Sequence, residues 1–382
     1  MDDVVLQYKS DRATATAGRI QSAPGRIAQL DGIRGVAVSL VVLFHYFGGN
    51  DEQSIIANKA IRWVINRGWS GVDLFFILSG FLIGGILLDN KVNKRFAGVF
   101  YYRRFLRIFP LYYLLLLVAW LATNEASTRW WLYVAYLQNI PAAFDRPVPH
   151  ILAITWSLAV EEHFYLLLPT LVALLNRRSL SFAVLSFVVA AIVLRIGAFA
   201  IGAPHADSFS YYFTFCRLDE LMLGVGAALM VRSAVIGVRL RSAAWPFYIA
   251  IAVCLVFLPI ISAADLKLFR GSTVTVGIIV YAVLYLALVL LAVEHPTSFV
   301  GVIFKSRILR WLGVRAYSIY LFHQTVLAAA LIAIPATSIY TQYASRGLAI
   351  AMVLGLAFLL WKLVEGPLIA LGHRLPYRSP LR

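Results

Sequence analysis

Apolar residues run along this chain in stretches of membrane-spanning length, broken by short polar connections. Read with a window of roughly 20 residues, the length an α-helix needs to cross a bilayer, the runs fall at 29–49, 70–88, 108–123, 156–175, 180–201, 212–231, 245–263, 272–293, 313–335 and 346–369. The pattern predicts an all-α, polytopic integral membrane helix bundle of about ten transmembrane helices, the third of them short. A further apolar piece, Trp130 to Ile140, is too short to cross and rich in aromatics, as in a segment that lies along the interface or re-enters the bundle. Residues 1–27 are polar and lack the short apolar core of a cleavable signal peptide, so they are expected to form a loosely ordered cytoplasmic tail. Residues 28–370 are expected to make one membrane domain, and 371–382 a short basic cytoplasmic tail.

Composition agrees with that picture. Of 382 residues, 61% are hydrophobic and 14% charged, with a mean hydropathy of +0.80; a soluble domain has no means of hiding that much apolar surface. A net charge of +16 suggests a polyanionic partner, but its placement argues against nucleic acid. About two-thirds of the Lys and Arg residues fall in the termini and in alternate loops near 91–107, 177–178, 232–241 and 305–315. The excess of positive charge on the cytoplasmic side then places both termini in the cytoplasm, as an even number of spans requires. Cys216 and Cys254 lie inside spans and offer no disulfide framework and no metal spacing, so they read as small apolar fillers and no metal is expected.

Several polar groups sit where lipid does not tolerate them. Arg34 and His45 are eleven residues apart in the apolar stretch GIRGVAVSLVVLFHYF, a spacing that returns both to nearly one helix face about 16 Å apart. An ionisable group at that depth is a functional candidate by default, although Arg34 also fits an ordinary cytoplasmic helix end. The segment Lys91 to Arg107 contains FYYRRFLRIFPLYY, in which Arg104 and Arg107 share a helix face beside Arg103. Such arginines suit either paired hydrogen bonds to phosphate or anionic lipid head groups. The fourth span opens with TWSLAVEEHFYLLLP, which puts Ser157 one turn from Glu161. Asp73 and Ser79 occur in GVDLFFILSGFLIGG, Arg217, Asp219 and Glu220 in CRLDELMLG, and His323 ends LGVRAYSIYLFH. An internal Arg–carboxylate pair accounts for the third of these strings, and packing or hydrogen bonding for a lone His323. No G-x-S-x-G elbow and no Gly-rich phosphate loop occurs, so phosphate recognition would fall to the arginines.

Taken in order, LDGIRGVAVSLVVLFHY (30–46), GVDLFFILSGFLI (71–83), FYYRRFLRIFPLYY (100–113), TWSLAVEEHFYLLLP (155–169), CRLDELMLG (216–224) and LGVRAYSIYLFH (312–323) closely resemble the membrane acyltransferase family 3 over roughly residues 28–368. The resemblance implies a bacterial inner-membrane O-acyltransferase that moves an acyl group, usually acetyl, from cytoplasmic acyl-CoA to a hydroxyl of an exported or lipid-linked glycan such as exopolysaccharide or lipopolysaccharide O-antigen. The family's Arg-x10-His falls on Arg34 and His45, its R-x-x-R on Arg104 and Arg107, and its WSLxxExxFY on Trp156, Ser157, Glu161, Phe164 and Tyr165. It implies that Arg104, Arg107 and Arg103 hold the CoA phosphates and that Arg34 lines the mouth of a tunnel. His45 would serve as general base or acyl carrier, with Glu161 orienting or charge-balancing it. Asp73, Ser157, Trp156, Tyr165, Arg217, Glu220 and His323 are then the expected supporting or substrate-contacting residues. Thr325 and Gly366 depart from the family pattern, which leaves the role of the neighbouring Glu365 open. No SGNH hydrolase-like domain follows, so a stand-alone form is expected. A transporter of a sugar or lipid-linked intermediate is the alternative, because buried charges also serve transport; paired half-repeats are not found.

Overall fold

The computed structural model describes residues 27–49, 55–93, 95–123, 128–267, 271 and 273–377. The expected N-terminal tail up to residue 26, and residues 378–382 of the expected C-terminal tail, lie outside the described residues. Among the described residues every regular element is helical: α1 (Ala28–Phe47), α2 (Lys59–Asn66), α3 (Gly71–Asn90), α4 (Phe96–Ala122), α5 (Trp130–Val134), α6 (Asn139–Ala143), α7 (Trp156–Leu174), α8 (Arg177–Ala200), α9 (Ala206–Tyr212), α10 (Thr214–Val231), α11 (Ala234–Ser242), α12 (Trp245–Lys267), α13 (Ile278–Glu294), α14 (Phe299–Ile303), α15 (Arg307–Val314), α16 (Ala316–Ala333), α17 (Ile339–Leu360) and α18 (Gly366–His373).

Among the described residues, eight helical stretches are long and apolar enough to cross a membrane: Ala28–Phe47, Lys59–Asn90, Phe96–Ala122, His150–Leu174, Arg177–Ala200, Thr273–Glu294, Ala316–Ala333 and Ile339–His373. The bent pair Ala206–Val231 and Ala234–Ser242, broken by 93°, makes a ninth if taken as one span, and Trp245–Ile261 is apolar but shorter. Each of the ten predicted runs falls on one of these, and the protein is a multi-pass membrane helix bundle. Two boundaries differ from the sequence reading. The third span is not short: α4 begins at Phe96 and carries Arg103, Arg104 and Arg107 inside the helix. Three arginines depress the local hydropathy, yet their side chains face protein rather than lipid, so the helix continues through them and through Pro110. At the other end, α18 reaches His373, three residues into the expected tail.

Local chemistry sets several helix starts. Asn176 accepts the Ser179 N–H at 2.9 Å at the head of α8, and Ser338 with Thr341 forms a reciprocal capping box on α17. The aromatic piece 130–140 folds as α5 and α6, joined through Tyr136 in the left-handed region at φ 57°. Its ring stacks on Tyr112 with centroids 4.3 Å apart. Gln138 Nε2 donates to Thr155 O at 2.8 Å and Tyr112 Oη at 3.1 Å, tying the segment to α4 and to the start of α7.

Two close backbone approaches position the site. A Cβ on Gly313 of α15 would lie 1.7 Å from Asp31 O of α1, and one on Gly35 of α1 would lie 2.1 Å from Leu309 O. On α3 and α10, a Cβ on Gly80 would lie 1.9 Å from Leu221 O, and one on Gly224 would lie 2.2 Å from Ile77 O. Small residues at such contacts let helices meet backbone to backbone, the main source of association where lipid tails are as apolar as the side chains. With Asp73 paired to Arg217 one face further along, α3 and α10 run parallel. Replacing Gly80 by Val should separate this pair and destabilise the protein by about 1–3 kcal/mol or more through overpacking. Gly98→Ala, at an exposed helical position with open space around it, should be neutral or slightly stabilising. Thermal unfolding of both variants in detergent checks this; equal midpoints would remove the close-approach argument.

Candidate active site

Two cavities meet inside the bundle, and α1 contributes to both. The inner one has a volume of about 110 Å³ and is lined by Arg34, Arg104, Arg107, Glu161, Ser79 and Tyr165, among others. The outer one has a volume of about 500 Å³ and is lined by His45, His150, Trp69, Trp156, Tyr211 and Gln324, among others. Val72 and Tyr320 line both, so they form the partition between them. Tyr320 is held in place: its hydroxyl lies 2.5 Å from Ser157 Oγ and donates to Ile154 O at 2.9 Å. The eleven-residue spacing on α1 therefore does what its period predicts, placing Arg34 on one side of the partition and His45 on the other.

In the inner cavity the Arg104 guanidinium stands 4.8 Å from the Tyr165 ring centroid and 5.7 Å from that of Phe100. Tyr165 Oη is 2.7 Å from Ser79 Oγ. Arg34 Nη1 reaches Asp31 at 3.3 Å on its own helix. Arg103 does not join the other two arginines of its string. It faces the C-terminal segment, donating to Leu375 O at 2.8 Å and covering the Tyr377 ring at 4.4 Å. Consecutive helical residues diverge by about 100°, which is why Arg103 and Arg104 serve different surfaces. Glu161 also falls elsewhere than expected, since it shares the arginine-lined cavity and not the one that His45 lines.

The partner of His45 is His323, with Nε2 of His323 3.2 Å from Nδ1 of His45 and ring centroids 4.9 Å apart. The tautomers follow from the neighbours. His45 Nδ1 lies 2.9 Å from Val41 O and His323 Nδ1 lies 2.6 Å from Tyr320 O. A carbonyl oxygen only accepts, so in the neutral pair both Nδ1 atoms carry their protons. His323 Nε2 then accepts from His45, and Nε2 of His45 keeps a free lone pair. That arrangement presents an oriented base at the outer cavity. His163, by contrast, bonds Thr214 Oγ1 at 2.8 Å and packs as a structural residue.

Behind the outer cavity lies a buried ion cluster. Arg217 is fully buried, pairs with Asp73 and lies 2.9 Å from Glu220, while Arg195, equally buried, pairs with Asp219 at 2.6 Å. The Arg217 guanidinium also sits 5.1 Å from the Tyr211 ring centroid, 5.5 Å from Phe76 and 5.7 Å from Trp156. Asp73, Arg217 and Glu220 thus support the site from behind, and Trp156 and Tyr211 form its wall. Glu365 is buried too and accepts a hydrogen bond from Ser318. Cys216 and Cys254 are buried and free, as the filler reading expects. Trp130 packs on Tyr133 and lines neither cavity. Sequence reading missed Tyr320, Gln324, His150 and Tyr211. Tyr320 had a signal, since it stands one turn before His323 in the AYSIYLFH string; the others become visible only when distant segments converge.

The sequence matches the family model described as an acyltransferase domain over residues 27–362, so the chain belongs to the membrane acyltransferase family 3. It is 29% identical over 337 residues to a putative peptidoglycan O-acetyltransferase, YrhL, of Bacillus subtilis, a match covering 79% of this chain and 48% of that protein. It is 26% identical over 344 residues to the peptidoglycan O-acetyltransferase OatA of Listeria monocytogenes, covering 79% and 49%. A putative O-acetyltransferase of Staphylococcus aureus strain COL is 26% identical over 347 residues, covering 79% and 51%. The chain spans about half the length of the curated relatives it matches. No solved structure matches it.

The ion cluster generates a direct prediction. Replacing Arg217 by Leu strands Asp73 and Glu220 in an apolar interior, and breaking a buried pair in this way costs about 3–5 kcal/mol. The Arg217→Leu protein should be lost from the monodisperse peak of a detergent extract or melt far below the parent. Arg178→Leu, at an exposed position, should behave like the parent. A normal melting profile for Arg217→Leu would show that the cluster carries no stability.

Proposed function

We propose that the protein is an integral membrane O-acyltransferase that moves an acyl group, most simply acetyl, from cytoplasmic acyl-CoA to a hydroxyl of an exported or lipid-linked glycan. The observation that carries this reading is the pair of cavities that meet at Val72 and Tyr320, one lined by arginines and the other presenting a histidine lone pair. Family membership and the relatives' names support acyl transfer over the transporter alternative. Those relatives are named for peptidoglycan, which makes peptidoglycan a candidate acceptor beside exopolysaccharide and O-antigen. The positive-inside pattern supports a bacterial inner-membrane protein with both termini and the arginine-lined cavity on the cytoplasmic side.

In this reading Arg34, Arg104 and Arg107 hold the CoA phosphates by charge-assisted hydrogen bonds. The pantetheine arm, comparable in length to the roughly 16 Å rise from Arg34 to His45, passes the partition and presents the thioester to the outer cavity. Nε2 of His45 accepts the proton of the glycan hydroxyl as its oxygen attacks the thioester carbonyl. The C–O bond forms, the C–S bond breaks, and the sulfur leaves with the electron pair and takes up the proton from His45. His323 fixes the ring that performs the step. Glu161, among the arginines, balances their charge when no phosphate is bound.

His45→Ala should lower acyl transfer by about two orders of magnitude or more, with membrane insertion intact. The check is mass spectrometry of glycans from cells with and without the protein, following the loss of about 42 Da per acetyl group; near-normal acylation by a well-expressed variant would sink the assignment. Replacing Arg104 and Arg107 together by Ala should weaken acyl-CoA binding several-fold or more, with lysines restoring it only in part because they lose the planar fork. Unchanged affinity in detergent returns these residues to a lipid-contact role. A cysteine at position 93 should be shielded from a membrane-impermeant thiol reagent in intact cells and one at position 207 should react. Reversed labelling overturns the orientation and the cytoplasmic donor with it.

A further inference from the structure

Two side chains line both cavities, Val72 on α3 and Tyr320 on α16. The Tyr320 hydroxyl is held by one residue from each side. Ser157, which lines the inner cavity, has its Oγ 2.5 Å away, and the carbonyl oxygen of Ile154, which lines the outer cavity, accepts the tyrosine proton at 2.9 Å. With that proton committed, the Ser157 hydroxyl donates to the tyrosine oxygen; its own approach to Ile154 O is longer, at 3.3 Å. Ile154 and Ser157 flank the point where the 3₁₀ segment His150–Thr155 becomes α7, so the contact ties α16 across the bundle to the head of α7.

The cavities differ in size, about 110 Å³ inside and about 500 Å³ outside. Small-molecule sites run from about 300 to 1,000 Å³, so the outer cavity is of ligand size as it stands and the inner one is not. Room for an arm that enters among the arginines lies past Tyr320. Of the two shared side chains, Val72 is short, branched at Cβ and stiff. The Tyr320 ring swings about two side-chain torsions and meets its aromatic neighbours edge-on or tilted, with the Phe75 and His323 centroids each 5.9 Å away. Its anchors are hydrogen bonds between neutral groups, individually weaker than the charge-assisted bonds that hold a phosphate.

We infer that Tyr320 is a gate: its ring shuts the arginine-lined cavity off from the His45 cavity while its hydroxyl is latched to Ser157 and Ile154, and the acyl arm of the donor passes when the latch breaks. The inference rests on the acyltransferase reading and goes beyond it by naming the residue that regulates access of the thioester to the base. A donor gripped by the arginines shifts the gate toward its open form, because only that form admits the rest of the molecule. With the latch closed, a thioester on the inner side is kept from His45 and from water in the outer cavity. Hydrolysis, in which a water oxygen bonds to the thioester carbonyl carbon, the C–S bond breaks and the sulfur takes up a proton to leave acetate and free thiol, is thereby suppressed.

The test reads accessibility and needs no turnover. A cysteine is placed at position 82, where Leu82 lines the inner cavity, in the full chain in right-side-out membrane vesicles washed free of acyl-CoA. A small membrane-impermeant thiol reagent is added on the side from which position 207 reacts, and the chain without Leu82→Cys gives the background from the buried Cys216 and Cys254. Leu82→Cys should label slowly. Adding Tyr320→Phe, which keeps the ring and removes the latch, should speed labelling about threefold to tenfold; adding Ser157→Ala, which removes one of the two anchors, should speed it by a smaller factor. The two together should do no more than Tyr320→Phe alone, since phenylalanine leaves Ser157 nothing to hold. Purified Tyr320→Phe should also hydrolyse acetyl-CoA without acceptor faster than the parent, at unchanged acetyl-CoA affinity. Equal labelling with and without the latch, additive effects of the two changes, or faster labelling of Cys216 and Cys254, the sign of a loosened bundle, each overturns the gate. If acetyl-CoA is bound and hydrolysed while labelling never changes, the gate falls and the acyltransferase reading stands. If labelling follows the expected pattern but the parent neither binds nor hydrolyses acetyl-CoA, the acyltransferase reading falls and the latch between the cavities is kept.

Discussion

The Arg217 cluster is the interaction on which the rest of the site depends. A guanidinium with no exposure to solvent is tolerable in the middle of an apolar bundle only when its charge is met within the protein. Here Asp73 of α3 and Glu220 of α10 meet the charge, while Phe76, Trp156 and Tyr211 close around its faces. The close contact of Gly80 and Gly224 brings those two helices near enough for the pairing. One buried charge thereby fixes α3 against α10, the start of α7 through Trp156, and the end of α9 through Tyr211. These elements surround the outer cavity.

The partition at Tyr320 follows from the same economy of elements. Helices α1 and α16 lie side by side, so residues one turn apart on α16 serve different tasks. Tyr320 closes the passage toward the arginines with help from Ser157, and His323 supports His45 through a single imidazole contact. Because His323 Nδ1 is satisfied by Tyr320 O, the tautomer of the histidine pair and the position of the partition are set by one helical turn. A change that moved Tyr320 would disturb both the partition and the histidine pair.

Much of the design was legible in the order of residues. Hydropathy located all ten apolar segments because each helix in lipid must bury its own backbone hydrogen bonds and present apolar side chains, a constraint that acts locally and leaves a local record. Arg34 and His45 were conspicuous for the converse reason: an ionisable residue inside such a segment is expensive unless a polar interior receives it. Arg103 shows where that logic stops, since residues 103, 104 and 107 look equivalent as a string, yet helix phase sends Arg103 to Leu375 and Tyr377 and the other two to the cavity. Glu161 shows it again. Its spacing from Ser157 was readable, but the group it accompanies depends on which helices surround α7.

Residue order alone settled the membrane class, the positions of the helices, the likeness to an acyltransferase family and the presence of a histidine inside the first span. Each is written in composition or in spacing along one helix. Tertiary packing decided that two cavities meet at Tyr320 and that His45 is oriented by His323 rather than by Glu161. These are contacts between residues separated by well over a hundred positions, fixed by helix packing through glycine contacts and buried ion pairs, and no local pattern in the chain encodes which helix face will meet which.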